Sequence, residues 1–302
     1  MKRLMVLGAV LAACLVVPLQ SSATAPAAVT CPQDTQAFSG SAPTLVVPSG
    51  GYCAITAATI AQDLVLEDGA GADLSQVTVG GDVVGGEDAG AGIVDSRIGG
   101  NLSLKGGDGG ADLSGVTIGH DYLLSDGAGT HMERTTIGHD FVATQPATVQ
   151  TGKNGPDSPG GAVYVGHDAL ISGTPADNPF VFDGICDLNV GHDLRVTNRS
   201  VTLGLGLASF GCRTFLGLPG NTIGHDLVVT GNTAVASPYG SDLRVADNHV
   251  GHDLLFSGNT GNDPGTLVVT GNVVGHDAIC SSNSQPVTVF DPNTAGHLNT
   301  CG

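Results

Sequence analysis

Residues 221–232 read NTIGHDLVVTGN: a glycine, a histidine and an aspartate, followed by a run of strand-forming residues. Gly-His-Asp on its own resembles part of an active site. The rest of the chain repeats it, with the histidine at positions 120, 139, 167, 192, 225, 252 and 276. Degenerate copies precede these at Ala61-Gln62-Asp63, Gly80-Gly81-Asp82 and Gly99-Gly100-Asn101, and Gly296-His297-Leu298 follows without the acid. Successive centres are 19, 19, 20, 19, 28, 25, 33, 27, 24 and 21 residues apart. A motif that recurs at a period of this size is an architectural unit.

The flanks keep the register. Two residues before the centres stand Ile60, Val79, Ile98, Ile118, Ile137, Val165, Val190, Ile223, Val250, Val274 and Ala295. Two residues after stand Leu64, Val83, Leu102, Tyr122, Phe141, Ala169, Leu194, Leu227, Leu254 and Ala278, and apolar residues dominate again at four after. Apolar residues at a spacing of two indicate strands with one buried face. The glycines, aspartates and asparagines between them indicate turns. A strand-turn unit of this length cannot bury its own face, but stacked copies share a continuous core. The expected fold is therefore all-β: a single-stranded parallel β-helix of about eleven rungs over residues 56–302. Right-handed coiling is expected. Residues 28–55 are read as an N-terminal cap. At roughly 4.8 Å per rung the rod would be on the order of 50 Å long. Leu74, Ile93, Leu113 and Met132 share one register, seven before their centres, and are read as a further core strand.

Residues 1–27 have the form of a secretory signal: Lys2 and Arg3, an apolar run from Leu4 to Val17, and Ala25-Pro26-Ala27 as a cleavage site. LAAC at 11–14 offers lipidation of Cys14 as an alternative to free secretion. No later segment is expected to span a membrane. The other cysteines are 31, 53, 186, 212, 280 and 301, an even number in an exported chain. Cys280 and Cys301 hold the same position on consecutive rungs, and the other two sequential pairs are each about one rung apart. The pairs expected are Cys31–Cys53, Cys186–Cys212 and Cys280–Cys301, the first and last stapling the ends.

The chain is acidic, with a formal net charge of −18, or −20 once Lys2 and Arg3 are removed. Phosphate-rich and other acidic polymers would be repelled, which excludes nucleic acid and pectin-like glycans as partners. The recurring acids form a column: Asp63, Asp82, Asn101, Asp121, Asp140, Asp168, Asp193, Asp226, Asp253 and Asp277. Stacked carboxylates repel by about 1 kcal/mol per neighbour in water. Either backbone N–H groups of the same turn offset this, or a row of cations does, with Ca²⁺ the candidate and Asp121, Asp140, Asp168, Asp193, Asp226, Asp253 and Asp277 its ligands. No cofactor is the simpler expectation. The histidines divide the same way, between an imidazole stack at a corner, a pH-responsive stack and a transition-metal row. Asn221, Asn248 and Asn272, each four before a histidine, are read as a stacked amide ladder.

Turns such as EDGAGADLS (67–75) resemble fragments of the calcium-binding nonapeptide repeat, with the large apolar residue one place early. The catalytic set of polygalacturonase-like β-helices is absent, the few basic residues form no cluster, and there is no tryptophan for sugar stacking. An enzyme is therefore not the favoured reading. Insertions break the period at 144–161, 173–189 and 203–220, and insertions between rungs carry recognition. Phe180, Phe182, Phe210, Arg213 and Phe215 in these loops are the candidate binding surface. The Val/Ile-Gly-x-Asp-Leu rungs resemble those of bactofilin-like, polymer-forming solenoids, which implies stiffness and end-to-end self-association. The functional expectation is an exported, non-catalytic rod with a structural or adhesin-like role toward a cell-surface, glycan or protein partner. The alternatives are a carbohydrate-active β-helix and a cation-binding solenoid.

Overall fold

The computed structural model describes residues 27–33, 35–106, 109–152, 161–174, 182–206, 220–235 and 242–302. Among them no helix occurs, and nearly all strand pairs are parallel neighbours one rung apart. The chain is a parallel β-helix whose rungs carry three short strands each, stacked into three ladders. The first ladder holds the strand after each Gly-His-Asp, from Leu45–Val47 and Leu64–Leu66 to Ala278–Ser281. The second holds longer strands such as Gly71–Ser75, Gly110–Ser114 and Leu243–Ala246. The third holds the two- or three-residue strands before each motif, such as Thr78–Val79 and Thr222–Ile223.

Register follows the apolar pattern. Leu64 pairs with Val83, Leu102 with Tyr122, Tyr122 with Phe141, and Leu227 with Leu254. All of these are buried to within 1 % of completely, as are Ile60, Val79, Ile98 and Ile118 of the third ladder. Leu74, Ile93, Leu113 and Met132 also fall in one column, each directly above the last. Every rung thus feeds its inward side chains into one core. Each large aliphatic chain so buried contributes about 1.5–3 kcal/mol, which an isolated rung could not obtain. Tyr122 adds a polar group to this core: its hydroxyl donates to Thr130 Oγ1 at 2.9 Å, and burial pushes its pKa well up.

Two boundaries differ from the sequence expectation. The coil starts before residue 56: Val29–Thr30 pairs with Leu45 and Val46, and Ala37–Ala42 pairs along Tyr52–Ile60. The region read as a cap already forms ladder strands. The insertions are also narrower than their sequence outline. Val149–Thr151, Phe182–Ile185 and Ser200–Gly206 are second-ladder strands, paired in succession. Residues 153–160, 175–181 and 207–219 lie outside the described residues. Each of these long rungs still supplies a second-ladder strand.

Disulfides join Cys31 to Cys53 and Cys280 to Cys301, with Cα–Cα distances of 6.3 and 4.9 Å. The second is close to the rung spacing, as two equivalent positions on neighbouring rungs require. Cys186 is disulfide-bonded as well; Cys212, its expected partner, lies outside the described residues. No helix among the described residues is long and apolar enough to cross a membrane. The signal segment and Cys14 lie almost wholly outside them.

Candidate functional site

The Gly-His-Asp corners lie between the third and first ladders, one above another. The glycine is set by close approach. A Cβ at Gly138 would meet the Gly119 carbonyl oxygen at 2.2 Å, and one at Gly191 would meet that of Gly166 at 2.2 Å. Backbones cross here too tightly for any side chain. The corner also breaks strand parity. Residues two before and two after point inward, yet the histidines point out, with side chains 44–72 % exposed from His139 to His297.

The aspartate solves a hydrogen-bonding mismatch. From His139 onward each histidine N–H of the column donates to the histidine carbonyl one rung earlier, as His192 does to His167 at 2.9 Å. One residue past the aspartate the direction reverses: Leu194 N–H donates to the Asp226 carbonyl one rung later. Between them, the aspartate N–H faces a rung that offers it no carbonyl. The carboxylate of the preceding aspartate fills the gap. Asp140 N–H donates to Asp121 Oδ1, Asp168 N–H to Asp140 Oδ1 and Asp193 N–H to Asp168 Oδ1, at 3.0–3.1 Å. The same bond runs from Asp82 to Leu298. Asn101 substitutes without loss, accepting the Asp121 N–H at 3.0 Å. The carboxylates therefore do cap backbone N–H groups, but of the next rung and not of their own turn.

The imidazoles complete the corner. Each Nδ1 lies 2.8–3.1 Å from Oδ1 of the preceding aspartate, through His139, His167, His192, His225, His252, His276 and His297. From His139 to His276, Nδ1 also lies 3.2–3.5 Å from its own neighbour's carboxylate, as in His139 to Asp140 Oδ2 at 3.2 Å. An ionised carboxylate only accepts, so Nδ1 carries the proton. The seven rings stack at 4.8–5.2 Å between centroids and within 11° of parallel. The Nδ1–H groups and backbone donors together offset the repulsion within the carboxylate column. For Asp168, burial pushes the pKa up, but the Asp193 N–H and the His192 and His167 rings outweigh it and hold the carboxyl below its ordinary value. Asp193 follows the same pattern, with Arg195 donating to its Oδ2 at 2.7 Å. Asp253 and Asp277 are lowered too. Where the histidine is missing, at Gln62, Gly81 and Gly100, the acid column is broken by Asn101.

Of the remaining candidates, Phe182 is half-buried in a second-ladder strand, and Phe180, Phe210, Arg213 and Phe215 lie outside the described residues. The amide ladder extends beyond the expected trio: Asn221 Nδ2 donates to Asn248, Asn248 to Asn272 and Asn272 to Asn293, at 2.9–3.0 Å. A second ladder, Asn232, Asn259 and Asn283, lies at another corner. Its spacing of seven after each histidine was the readable signal.

Two features escaped the sequence reading. Arg199 occupies that second amide register and is buried. It clamps Asp183 with Nε to Oδ2 at 3.0 Å and Nη2 to Oδ1 at 2.9 Å, and its Nη1 donates to the carbonyls of Pro146 and Gly173. The second is a polar groove of about 480 Å³ across the second ladder, lined by Asp73, Asp112, His131, Thr148 and Gln150 over a floor that includes Gly90, Gly92 and Gly110. The Tyr52 hydroxyl donates to Asp73 beside this groove. Compared with protein-family models, curated proteins and solved structures, the chain matches none.

Proposed function

We propose that this chain is an exported, non-catalytic rod with a structural or surface-interaction role. The observation that carries this reading is the corner column. Each aspartate from Asp82 to Asp277 has its Oδ1 occupied by the N–H of the next rung, and from Asp121 onward by an imidazole as well. The same constellation recurs rung after rung, so no single His-Asp pair stands apart as a reacting centre. Disulfides near both ends favour an oxidising compartment and so support export.

The groove over Asp73, Asp112 and His131 favours a second reading, in which the rod holds or cleaves an uncharged glycan. One assay separates the two. The protein is incubated with neutral polysaccharides and released reducing ends are measured, alongside the Asp112→Asn variant. No release by either protein supports the rod. Release that Asp112→Asn abolishes would overturn it.

A further inference from the structure

We propose that the histidine column from His139 to His297 is a binding track for divalent transition-metal ions, held at imidazole Nε2 by pairs of neighbouring rings. The donor set favours nitrogen over carboxylate. Each Asp Oδ1 in the column already accepts a backbone N–H and faces an imidazole N–H, so the inner side of the column is satisfied. Fixing the proton on Nδ1 leaves the lone pair of a neutral ring on Nε2. Among the described residues no protein group bonds these Nε2 atoms, and the rings are 44–72 % exposed. A carboxylate behind Nδ1 is also the arrangement that orients a metal-ligating imidazole and raises its basicity. The net charge of −18 draws cations to the surface.

The spacing determines how many ions fit. Parallel rings 4.8–5.2 Å apart place successive Nε2 atoms at the same pitch. A tetrahedral ion with metal–nitrogen bonds of about 2.0–2.1 Å needs its two nitrogens about 3.4 Å apart. Two neighbours therefore close on one ion by tilting toward each other, which their exposure permits, and water completes the shell. Tilting toward one neighbour opens the gap to the other. Two divalent ions one rung apart would also repel four times as strongly as two single charges. Pairing thus consumes rings two at a time, and seven rings hold three ions.

The test is equilibrium dialysis of the full chain, stripped with chelator and with disulfides intact, against Zn²⁺. The expected result is about three ions per chain. The variant His120→Gln/His167→Gln/His225→Gln/His276→Gln removes alternate histidines of the corner, His120 of the preceding rung included, and leaves no neighbouring pair, so binding should fall to less than one ion. His249→Gln, off the column, should keep all three. Gln62 already occupies the histidine position in an early rung, so glutamine suits the corner, and circular dichroism checks the fold of each variant. Asp168→Asn should weaken Zn²⁺ about tenfold or more at the affected pair, by removing the charge behind His192. Less than one ion on the unmodified chain would overturn the proposal. So would binding that survives removal of the alternate rings.

Discussion

Asp140 Oδ1 lies 3.1 Å from His167 Nδ1 and at the same time accepts the Asp168 N–H at 3.0 Å. One oxygen therefore ties two rungs by backbone and side chain together. Asparagine can replace the first of these functions, as Asn101 does for Asp121. Alanine can replace neither. Asp140→Ala should cost about 1–2 kcal/mol by leaving a partly buried N–H without its acceptor, and Asp140→Asn should cost less than half as much. Chemical unfolding of the two variants checks the order. Equal losses would mean that charge, and not N–H capping, is what the aspartate contributes.

The lowered carboxyls set the response to acid. Asp168, Asp193, Asp253 and Asp277 all sit below their ordinary values in the folded chain. A depressed folded value means that folding favours the ionised form. The stability this confers is complete above the unfolded carboxylate value near about 3.9, and is lost as pH falls through the lower folded value. Asp183, Asp187 and Asp247 are raised, chiefly by burial, and act in the opposite direction. Asp168→Asn isolates one lowered group. Its melting temperature should fall less steeply than that of the unmodified chain below about pH 4. Parallel curves would refute the assignment.

Gly191 at the corner should be far less replaceable than Gly90 in the groove. At Gly191 a Cβ would meet the Gly166 carbonyl oxygen at 2.2 Å, and both partners are backbone. At Gly90 the nearest atom would lie 3.7 Å away. Gly191→Ala should destabilise by at least about 2–3 kcal/mol, whereas Gly90→Ala should change stability by about 0.5 kcal/mol or less. Thermal unfolding distinguishes them, and comparable losses would show that the rungs can separate at the corner.

The parallel coil was legible because its signal is periodic. Ile60, Val79 and Ile98 announce a column by spacing alone, and Cys280 and Cys301 announce a bond by holding one position on two rungs. The direction of the aspartate bonds was not legible. Asp121 reaches Asp140 through space across 19 residues, and local turn chemistry pointed to its own turn instead. Parity placed the histidines ambiguously, because the effect of Gly138 depends on a carbonyl one rung away. The groove was hidden for a related reason: Gly92, Asp112 and His131 become neighbours only once the second ladder is stacked. Arg199 shares the seven-after-histidine register of Asn232, but its pairing was not legible, since its partner Asp183 belongs to a rung whose insertion breaks the period.

That buried pair gives the last prediction. Arg199 and Asp183 have fully buried side chains, and Asp183 also accepts the Val149 N–H at 2.9 Å. Burial pushes the Asp183 pKa up, and Arg199 is the main opposing influence. Arg199→Met removes that opposition and strands a carboxylate in the core, together with the Pro146 and Gly173 carbonyls that the guanidinium satisfied. The expected loss is about 3–5 kcal/mol. Asp183→Asn alone should also destabilise, by leaving the guanidinium without its counter-charge. Asp183→Asn in the Arg199→Met background should recover part of the loss, because the amide oxygen can still accept from Val149 and no charge remains buried. Unfolding free energies for the two single variants and the double variant complete a mutant cycle. Additive losses would mean the pair is not coupled, and the Asp183 carboxyl would then have to be neutral in the folded chain.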